Sequence, residues 1–331
     1  MAKMNLHELQ TFVAIAQLGG VTRAASQLHR SQPAITRRIK LLEDQLGAPP
    51  LERGPGGSML TEAGRTFLHY AEAILAALKD GTQAVRALQG ADHGVASLAI
   101  VGTLAGTTIV EQLRGFSAQH RNARLELRTA NSFEVSDFVR RGEVSLGLRY
   151  FADPSPELIS QQIAEERLLV VCSAQHKWGG KRLRDPEELR SDQWLSLPMT
   201  RHRGSFAHLL ARQLACARLD DVAVMTIDSL TAQKRLIEAG IGIALLPESS
   251  IQEELRLGTL CTIDIPRLQT TVPIHVLYRK NGYLSGASRT LLSTISNVPV
   301  RPTAAAHRGR ERKSSPNRKR KSAPSRAFSS T

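Results

Sequence analysis

Five polar or basic side chains crowd the front of one short stretch, SQPAITRRIKLLEDQLG, residues 31–47. Gln32 and Thr36 are of the types that bond base edges, and Arg37, Arg38 and Lys40 hold bases or phosphate oxygens. The residue types alone do not specify that chemistry, because a solvated basic helix face carries the same ones. Their spacing adds geometry. Ile35, Ile39, Leu42 and Leu46 recur at intervals of four, three and four, the period of a helix buried on one side. With Ser31 as N-cap, Pro33 falls in the first turn, where the helix has no use for its missing N–H. The polar groups therefore stand at the leading end of a rigid helix whose first amides point forward.

The flanking segments must position that end. Asn5 is placed to cap a helix, with Glu8 three residues on as its capping-box partner. Leu6, Leu9, Phe12, Val13 and Ala16 form its apolar face, and Gly19-Gly20 ends it. Thr22 is expected to cap a second, short helix through Leu28, with Ala24, Ala25 and Leu28 inward. His29-Arg30 then make a tight turn into Ser31. Two helices joined this way, the second displaying base-reading groups, describe a helix-turn-helix. In PPLERGPGGSMLTEAG, residues 49–64, two short runs flank Gly54-Pro55-Gly56-Gly57, the pattern of a small hairpin or wing. Thr61 opens another helix.

Taken together, LQTFVAIAQLGGVTRAASQLHRSQPAITRRIKLLEDQLGAPPLERGPGGSMLTEAG closely resembles the LysR-type transcriptional regulators. The combination of Ala24-Ala25, Leu28, Ser31-Gln32-Pro33-Ala34, Ile39, Leu42-Glu43, Leu46-Gly47, Arg53 and Leu60-Thr61-Glu62-Ala63-Gly64 carries the likeness. Two positions depart from it: Gly20-Val21 stand where the family usually has Ser-Phe, and Pro50-Leu51 where it has Leu-Phe. The resemblance continues to about residue 297 but is diffuse after residue 65. It implies a winged helix-turn-helix, a long linker helix and a two-lobed α/β effector-binding domain like type 2 periplasmic binding proteins. It also implies a homodimer on a dyad-related site in double-stranded promoter DNA, and tetramers of paired dimers. The DNA-facing residues expected on this reading are Thr22, Ser31, Gln32, Pro33, Thr36, Arg37, Arg38, Lys40 and Arg53.

The helix from Thr61 reads on to about Gln89. Phe67, Ala71, Ile74, Leu78, Val85 and Leu88 fit a heptad seam, with Gly81 at the missing position. Such a helix is ~40 Å long at ~1.5 Å per residue. A single apolar stripe of that length suggests pairing with another copy, packing on its own domain being the alternative; the resemblance implies a dimerising linker helix. From Val95 the pattern turns to strands alternating with helices: SLAIVG, ARLELRT, VSLGLRY, RLLVVCSA, QWLSLP, AVMTI and IGIALLP read as strands of a parallel α/β domain. A late strand, PIHVLYR, precedes a last helix from about Ser285. Proline-marked connections in FADPSPEL and DIPRLQTTVP divide the region into lobes crossed twice by the chain. The expected domains are a DNA-binding head at 1–62, a linker and dimerisation helix at 63–91, and an effector domain at 92–300. Its first lobe takes 92–162 and 269–297, its second 163–268.

In such sheets ligands meet the carboxyl ends of strands, at the crevice between lobes. The residues there are Thr103, Asn131, Ser132, Arg149, Tyr150, Arg201, Arg203 and Asp228, with His202 and Ser229 beside them. By the resemblance, Thr103, Asn131 and Ser132 match positions that family members use for effectors. Arg149, Arg201 and Arg203 suit a carboxylate, which makes a small organic acid or other anion the expected small-molecule effector. Solvated loop arginines are the alternative.

Composition bounds the rest. The chain has 331 residues, is 41% hydrophobic and carries a net charge of +14. Residues 301–331 hold ten Lys/Arg and one Glu, which leaves +5 for the first 300 residues. That tail has almost nothing to bury and reads as disordered, either a solvated extension or a non-specific attraction to nucleic acid. No run is apolar enough to span a bilayer, and MAKMNLHELQTF lacks the features of a signal peptide, so a cytoplasmic protein is expected. Cys172, Cys216 and Cys261 are read as buried free thiols. G-x-x-x-x-G-K-[ST], G-x-S-x-G and H-E-x-x-H are all missing, GIGIAL is one glycine short of a dinucleotide fingerprint, and ten histidines are scattered. No enzyme, cofactor or metal site is therefore expected. A sequence-blind DNA binder driven by the tail, or a cytoplasmic solute-binding protein, would be the rival functions.

Overall fold

The structure is a computed structural model; it describes residues 4–54, 57–88, 94–106, 108–199 and 205–296. The expectations for Gln89, Arg201, His202, Arg203 and the basic tail lie outside the described residues.

The head begins with α1 (Leu6–Leu18), capped as its sequence requires: the Asn5 side chain accepts from His7 N at 3.1 Å, and Glu8 accepts from Asn5 N at 2.9 Å. Gly19, at φ 68°, closes it in the left-handed conformation that suits glycine. The next helix, α2 (Val21–Gln27), starts from Gly20, with no side-chain cap. Thr22 is thus inside the helix and not its cap; its carbonyl accepts from Ser26 Oγ at 3.2 Å. After the turn comes α3 (Gln32–Leu46), with proline in its first turn. The wing is β1 (Leu51–Gly54) paired antiparallel with β2 (Gly57–Leu60). Two clusters hold the head: Leu9, Phe12, Val13 and Leu42 with Ala71, and Ala14, Ile15, Ala24, Ala25 and Ile35. Thr61 secures the next turn by donating to Pro49 O at 2.7 Å and accepting from Gly64 N at 3.0 Å. A Cβ at Gly64 would overlap the Pro50 carbonyl, so that turn admits only glycine.

The long helix, α4 (Glu62–Leu88), splits the heptad seam read from sequence. Phe67 and Ala71 do not face outward with the rest; with Leu68 and Leu75 they pack into the head, where Phe67 meets Phe12 at 5.6 Å between ring centroids. The face left open carries Tyr70, Ile74, Leu78 and Val85, all exposed, with nothing against Gly81. At ~100° per residue these five positions span an arc of only about 80°.

The remaining elements are β3 (Val95–Val101), α5 (Thr108–Gln119), β4 (Arg124–Ala130), α6 (Ser132–Arg140), β5 (Leu146–Tyr150), β6 (Leu158–Ser173), β7 (Trp194–Ser196), α7 (Phe206–Cys216), β8 (Val224–Thr226), α8 (Leu230–Glu238), β9 (Ile243–Pro247), α9 (Gln252–Leu257), β10 (Leu260–Ile263), β11 (Thr270–Arg279) and α10 (Gly286–Ser296). One nine-stranded sheet runs β4-β3-β5-β11-β6-β9-β7-β8, with β10 also on β6. It is mixed, not parallel. The pairs β3–β4, β3–β5, β7–β8 and β7–β9 are parallel, whereas β6 and β11 are antiparallel to every neighbour they have. The reason lies in β6. Its first half pairs with β11 in one lobe, and its second half pairs with β9 and β10 in the other. The register between β6 and β11 shifts at Ile274/His275. One long strand thereby serves both lobes.

In that sheet Cys172 pairs directly with Cys261 across β6 and β10. Cys172 is buried, but Cys216 is exposed and Cys261 partly exposed, which corrects the expectation of three buried thiols. Burial, with the nearby Cys261 and Asp192, pushes the Cys172 thiol up to about 12. Only a thiolate reacts with an alkylating agent. Iodoacetamide at pH 8 should therefore label Cys216 first and leave Cys172 unlabelled until the chain is denatured. Equal labelling of Cys172 and Cys216 in the native protein, read by peptide mass, would contradict this burial.

Candidate nucleic-acid interface and ligand crevice

Ile35 and Leu42 are fully buried and fix the rotation of α3 about its axis. Gln32, Thr36, Arg37 and Lys40 are then exposed, as are Ser31 and Pro33 at its leading end. Ser31 occupies the N-cap position, but its hydroxyl makes no capping bond. Thr36 Oγ1 donates back to Gln32 O at 3.0 Å. Thr22 and Arg53 are exposed on α2 and β1. Arg38 differs. It lies three residues after Ile35 and four before Leu42, on the flank of the buried face, and is half-buried. Its guanidinium donates to Thr11 Oγ1 at 3.4 Å, and Thr11 donates to His7 O at 2.7 Å. Arg38 thus ties α3 to α1 and does not stand with the exposed polar groups at the leading end of α3. Its i+3/i−4 relation to two core residues was the sequence signal for this.

The crevice gathers around Thr103, in a single 3₁₀ turn (Gly102–Gly106) that follows β3. Tyr150, fully buried at the end of β5, donates to Glu166 Oε2 at 2.6 Å. The other Glu166 oxygen accepts from Ser249 N at 2.9 Å, and Ser249 Oγ donates to Thr103 O at 3.5 Å. The Tyr150 ring stands edge-on to Phe206 at 4.8 Å. Burial and the Glu166 charge push the Tyr150 phenol well above its ordinary range, so it stays a donor. Thr103 Oγ1 is buried beside that phenol, and its hydrogen bond to Tyr150 opposes the rise. A cavity of about 710 Å³ opens next to Thr103, lined also by Thr231, Lys234, Ser249 and Ser250. Lys234 in it is already paired with Glu254 at 2.6 Å. A second, more apolar recess holds Thr103, Ser196, Phe206 and Gln233. Glu166, Ser249 and Phe206 escaped the sequence reading, since each sits in a segment read as polar or as a connection.

Arg149 is not at this crevice. It is buried, donates to Asp153 Oδ2 at 2.8 Å, to Ser136 Oγ at 2.7 Å and to Tyr150 O at 3.1 Å. Burial weakens the Arg149 charge, and Asp153 opposes that effect. Burial also works against the Asp153 charge, but hydrogen bonds with Ser136 and Ser155 and the Arg149 charge hold its carboxyl below the ordinary range. The expectation that Arg149 meets an anionic ligand is therefore corrected: Asp153, four residues on, has taken its charge. Asn131 is the N-cap of α6, accepting from Phe133 N and Glu134 N, both at 3.0 Å. Ser132 is half-buried in the first turn, and its carbonyl accepts from Ser136 Oγ at 3.3 Å. Asp228 is exposed beside Ser229, which caps α8. Asn131, Ser132 and Asp228 line neither cavity. Among the described residues no helix is long and apolar enough to cross a membrane, and no group of His, Cys, Asp and Glu is arranged to hold a metal ion.

Known proteins share this arrangement. The chain is 28% identical over 288 residues to the HTH-type transcriptional regulator CfxR of Cupriavidus necator, covering 87% of this chain and 89% of that one. It is 25% identical over 287 residues to the RuBisCO operon transcriptional regulator of Allochromatium vinosum, covering 86% and 93%. Among solved structures, the LysR family regulator CbnR superposes with a TM-score of 0.60 at 26% identity, over 88% of this chain and 98% of that one. CbnR in complex with its target DNA superposes with a TM-score of 0.59 at 27% identity, over 88% and 99%. Residues 6–65 match the family of bacterial regulatory helix-turn-helix proteins of the lysR family, and residues 89–298 match the LysR substrate binding domain. A helix-turn-helix head and a two-lobed ligand domain, both of one kind and together spanning nearly all of the described residues, make this chain a member of the LysR family of transcriptional regulators.

Proposed function

We propose that the protein binds a dyad-related promoter site as paired copies, in the cytoplasm, and changes its grip on that DNA when a small molecule enters the crevice. The observation that carries this is the leading end of α3, whose Gln32, Arg37 and Lys40 are exposed on a helix that its own core fixes in rotation. In this reading Gln32 and Arg37 bond base edges, Lys40 and Arg53 hold phosphates, and Thr22, Ser31, Pro33 and Thr36 line the approach to the groove. We assign residues 1–62 to the head, 63–91 to the linker, and 92–162 with 269–297 and 163–268 to the two lobes. The second copy lies on the open face of α4, and two such pairs make a tetramer.

For the effector, the cavity beside Thr103, lined by the hydroxyl residues Thr231, Ser249 and Ser250, favours a ligand oxygen that accepts hydrogen bonds. A small organic acid meets that need, and Arg201 and Arg203 are the cations assigned to it by their places in the sequence. The test is selection of genomic fragments by the full chain, followed by footprinting. Recovery of a two-fold related motif is expected. Fragments that all bind alike, and weaken together as salt is raised, would replace this reading with sequence-blind binding.

A further inference from the structure

The side of α4 turned away from its open apolar stripe carries charge where a solvated linker would not bury it. Glu72 is 4% exposed and Asp80 9%, and Ala76 between them is buried. Each acid meets an arginine of the first lobe. Arg141 Nε reaches Glu72 Oε1 at 2.8 Å, and Arg279 reaches Asp80 Oδ1 at 2.7 Å. The second oxygen of Asp80 accepts from Tyr283 N at 3.1 Å. Lys79 Nζ donates to the Gly142 carbonyl at 2.6 Å. Gly142, at φ 65°, lets this happen: a Cβ there would stand 3.2 Å from Ala76 Cβ and 3.1 Å from the Arg279 guanidinium. The partners come from two places in the lobe, the loop after α6 and the end of β11.

We propose that these contacts form a latch that holds the linker, and with it the DNA-binding head, against the first lobe in one regulated state. The proposal deepens the function proposed above and rests on it for its regulatory meaning. Two physical features favour a switch over a static joint. A buried ion pair adds little net stability, because desolvation offsets most of the attraction, yet it is costly to break on one side only. Such a joint is therefore specific in geometry without being strong, so a modest change of lobe shape can exchange it. The latch residues also lie on the far side of α4. At ~100° per residue, Glu72, Ala76, Lys79 and Asp80 fall about 180–280° round from Tyr70, while the apolar stripe takes about 0–80°. Opening the latch thus leaves the stripe, and a partner on it, untouched. Movement of the first lobe would swing each head relative to that lobe while the two linkers stay paired.

Hydrogen exchange on the full-length chain tests this, with Arg279→Glu as the opening variant. Exchange at the Tyr283 amide and across residues 72–80 should speed up tenfold or more, while β3 in the same lobe keeps its wild-type protection. Adding Asp80→Lys to Arg279→Glu restores the attraction with its sign reversed and should bring protection of residues 72–80 back to within threefold of wild type. Exchange in Arg279→Glu as slow as in wild type, with β3 intact, would overturn the latch. So would a charge-reversed pair that fails to restore it. The regulatory meaning is read separately. On fragments selected by the wild type, Arg279→Glu should keep its affinity for a single half-site within twofold and lose tenfold or more on the paired site. Loss on both alike, or on neither, would refute coupling to the heads. A wild type that selects no sequence would refute the DNA-binding reading while the exchange data still decide the latch.

Discussion

Leu78→Lys will leave the full chain monomeric at concentrations where the wild type is paired. Leu78 is 52% exposed in the centre of the α4 stripe, with Ile74 and Val85 on the same narrow arc. Burying a leucine stabilises by about 1.5–3 kcal/mol, and a two-fold contact buries it twice. The lysine also brings two charges into that seam. Removing at least ~3 kcal/mol from the pairing weakens it more than about 100-fold. Sedimentation equilibrium measures this directly. Leu257 is the matched control: it is 64% exposed but lies on α9, away from the stripe. Leu257→Lys should leave the pairing constant unchanged. A wild type that is monomeric at tens of micromolar, or equal effects of the two substitutions, would show that the stripe is not the pairing surface.

Arg37→Ala will cost the protein its sequence discrimination before its general affinity for DNA. A guanidinium with both prongs on one base contributes roughly 1–3 kcal/mol of discrimination, about 5- to 150-fold. That loss should appear on the selected site and be nearly absent on random DNA of the same length. Gln32→Ala should behave alike at a neighbouring base pair. Lys40→Ala, if it holds a phosphate, should weaken both DNAs to the same extent and lower the salt slope by ~1. Arg38→Ala separates the readings further. Because Arg38 bonds Thr11 at 3.4 Å, its removal should lower the melting temperature of the head and affect both DNAs through folding. Equal losses on selected and random DNA for Arg37→Ala would remove Arg37 from the base-reading set.

Much of the head was legible because its signals are local. A cap, a first-turn proline, a closing glycine and an apolar period of 3.6 each depend on residues within about four positions of one another. Asn5 and Glu8, Ser31 and Pro33, and the Gly54–Gly57 turn belong to this class, and α1, α3 and the wing stand where they were read. The length of α4 was legible for the same reason. The membership of its seam was not, since whether Phe67 and Ala71 face Phe12 or another chain depends on where α1 docks. The first half of β6 was missed because the polar run Ser160, Gln161 and Gln162 interrupts its apolar residues Leu158, Ile159 and Ile163. Its backbone pairing with β11, more than a hundred residues later, is what makes it a strand. Charge assignments failed in the same way. An arginine at a strand end reads identically whether it meets a ligand or, like Arg149, the Asp153 carboxylate. The pairs that join α4 to the first lobe lie 69 and 199 residues apart in the chain. Short-range pattern therefore determined which helices and turns exist and which of their faces are apolar. Only the tertiary structure decided which partner each charged or apolar face meets, because that choice is made by segments brought together after the local pattern is complete.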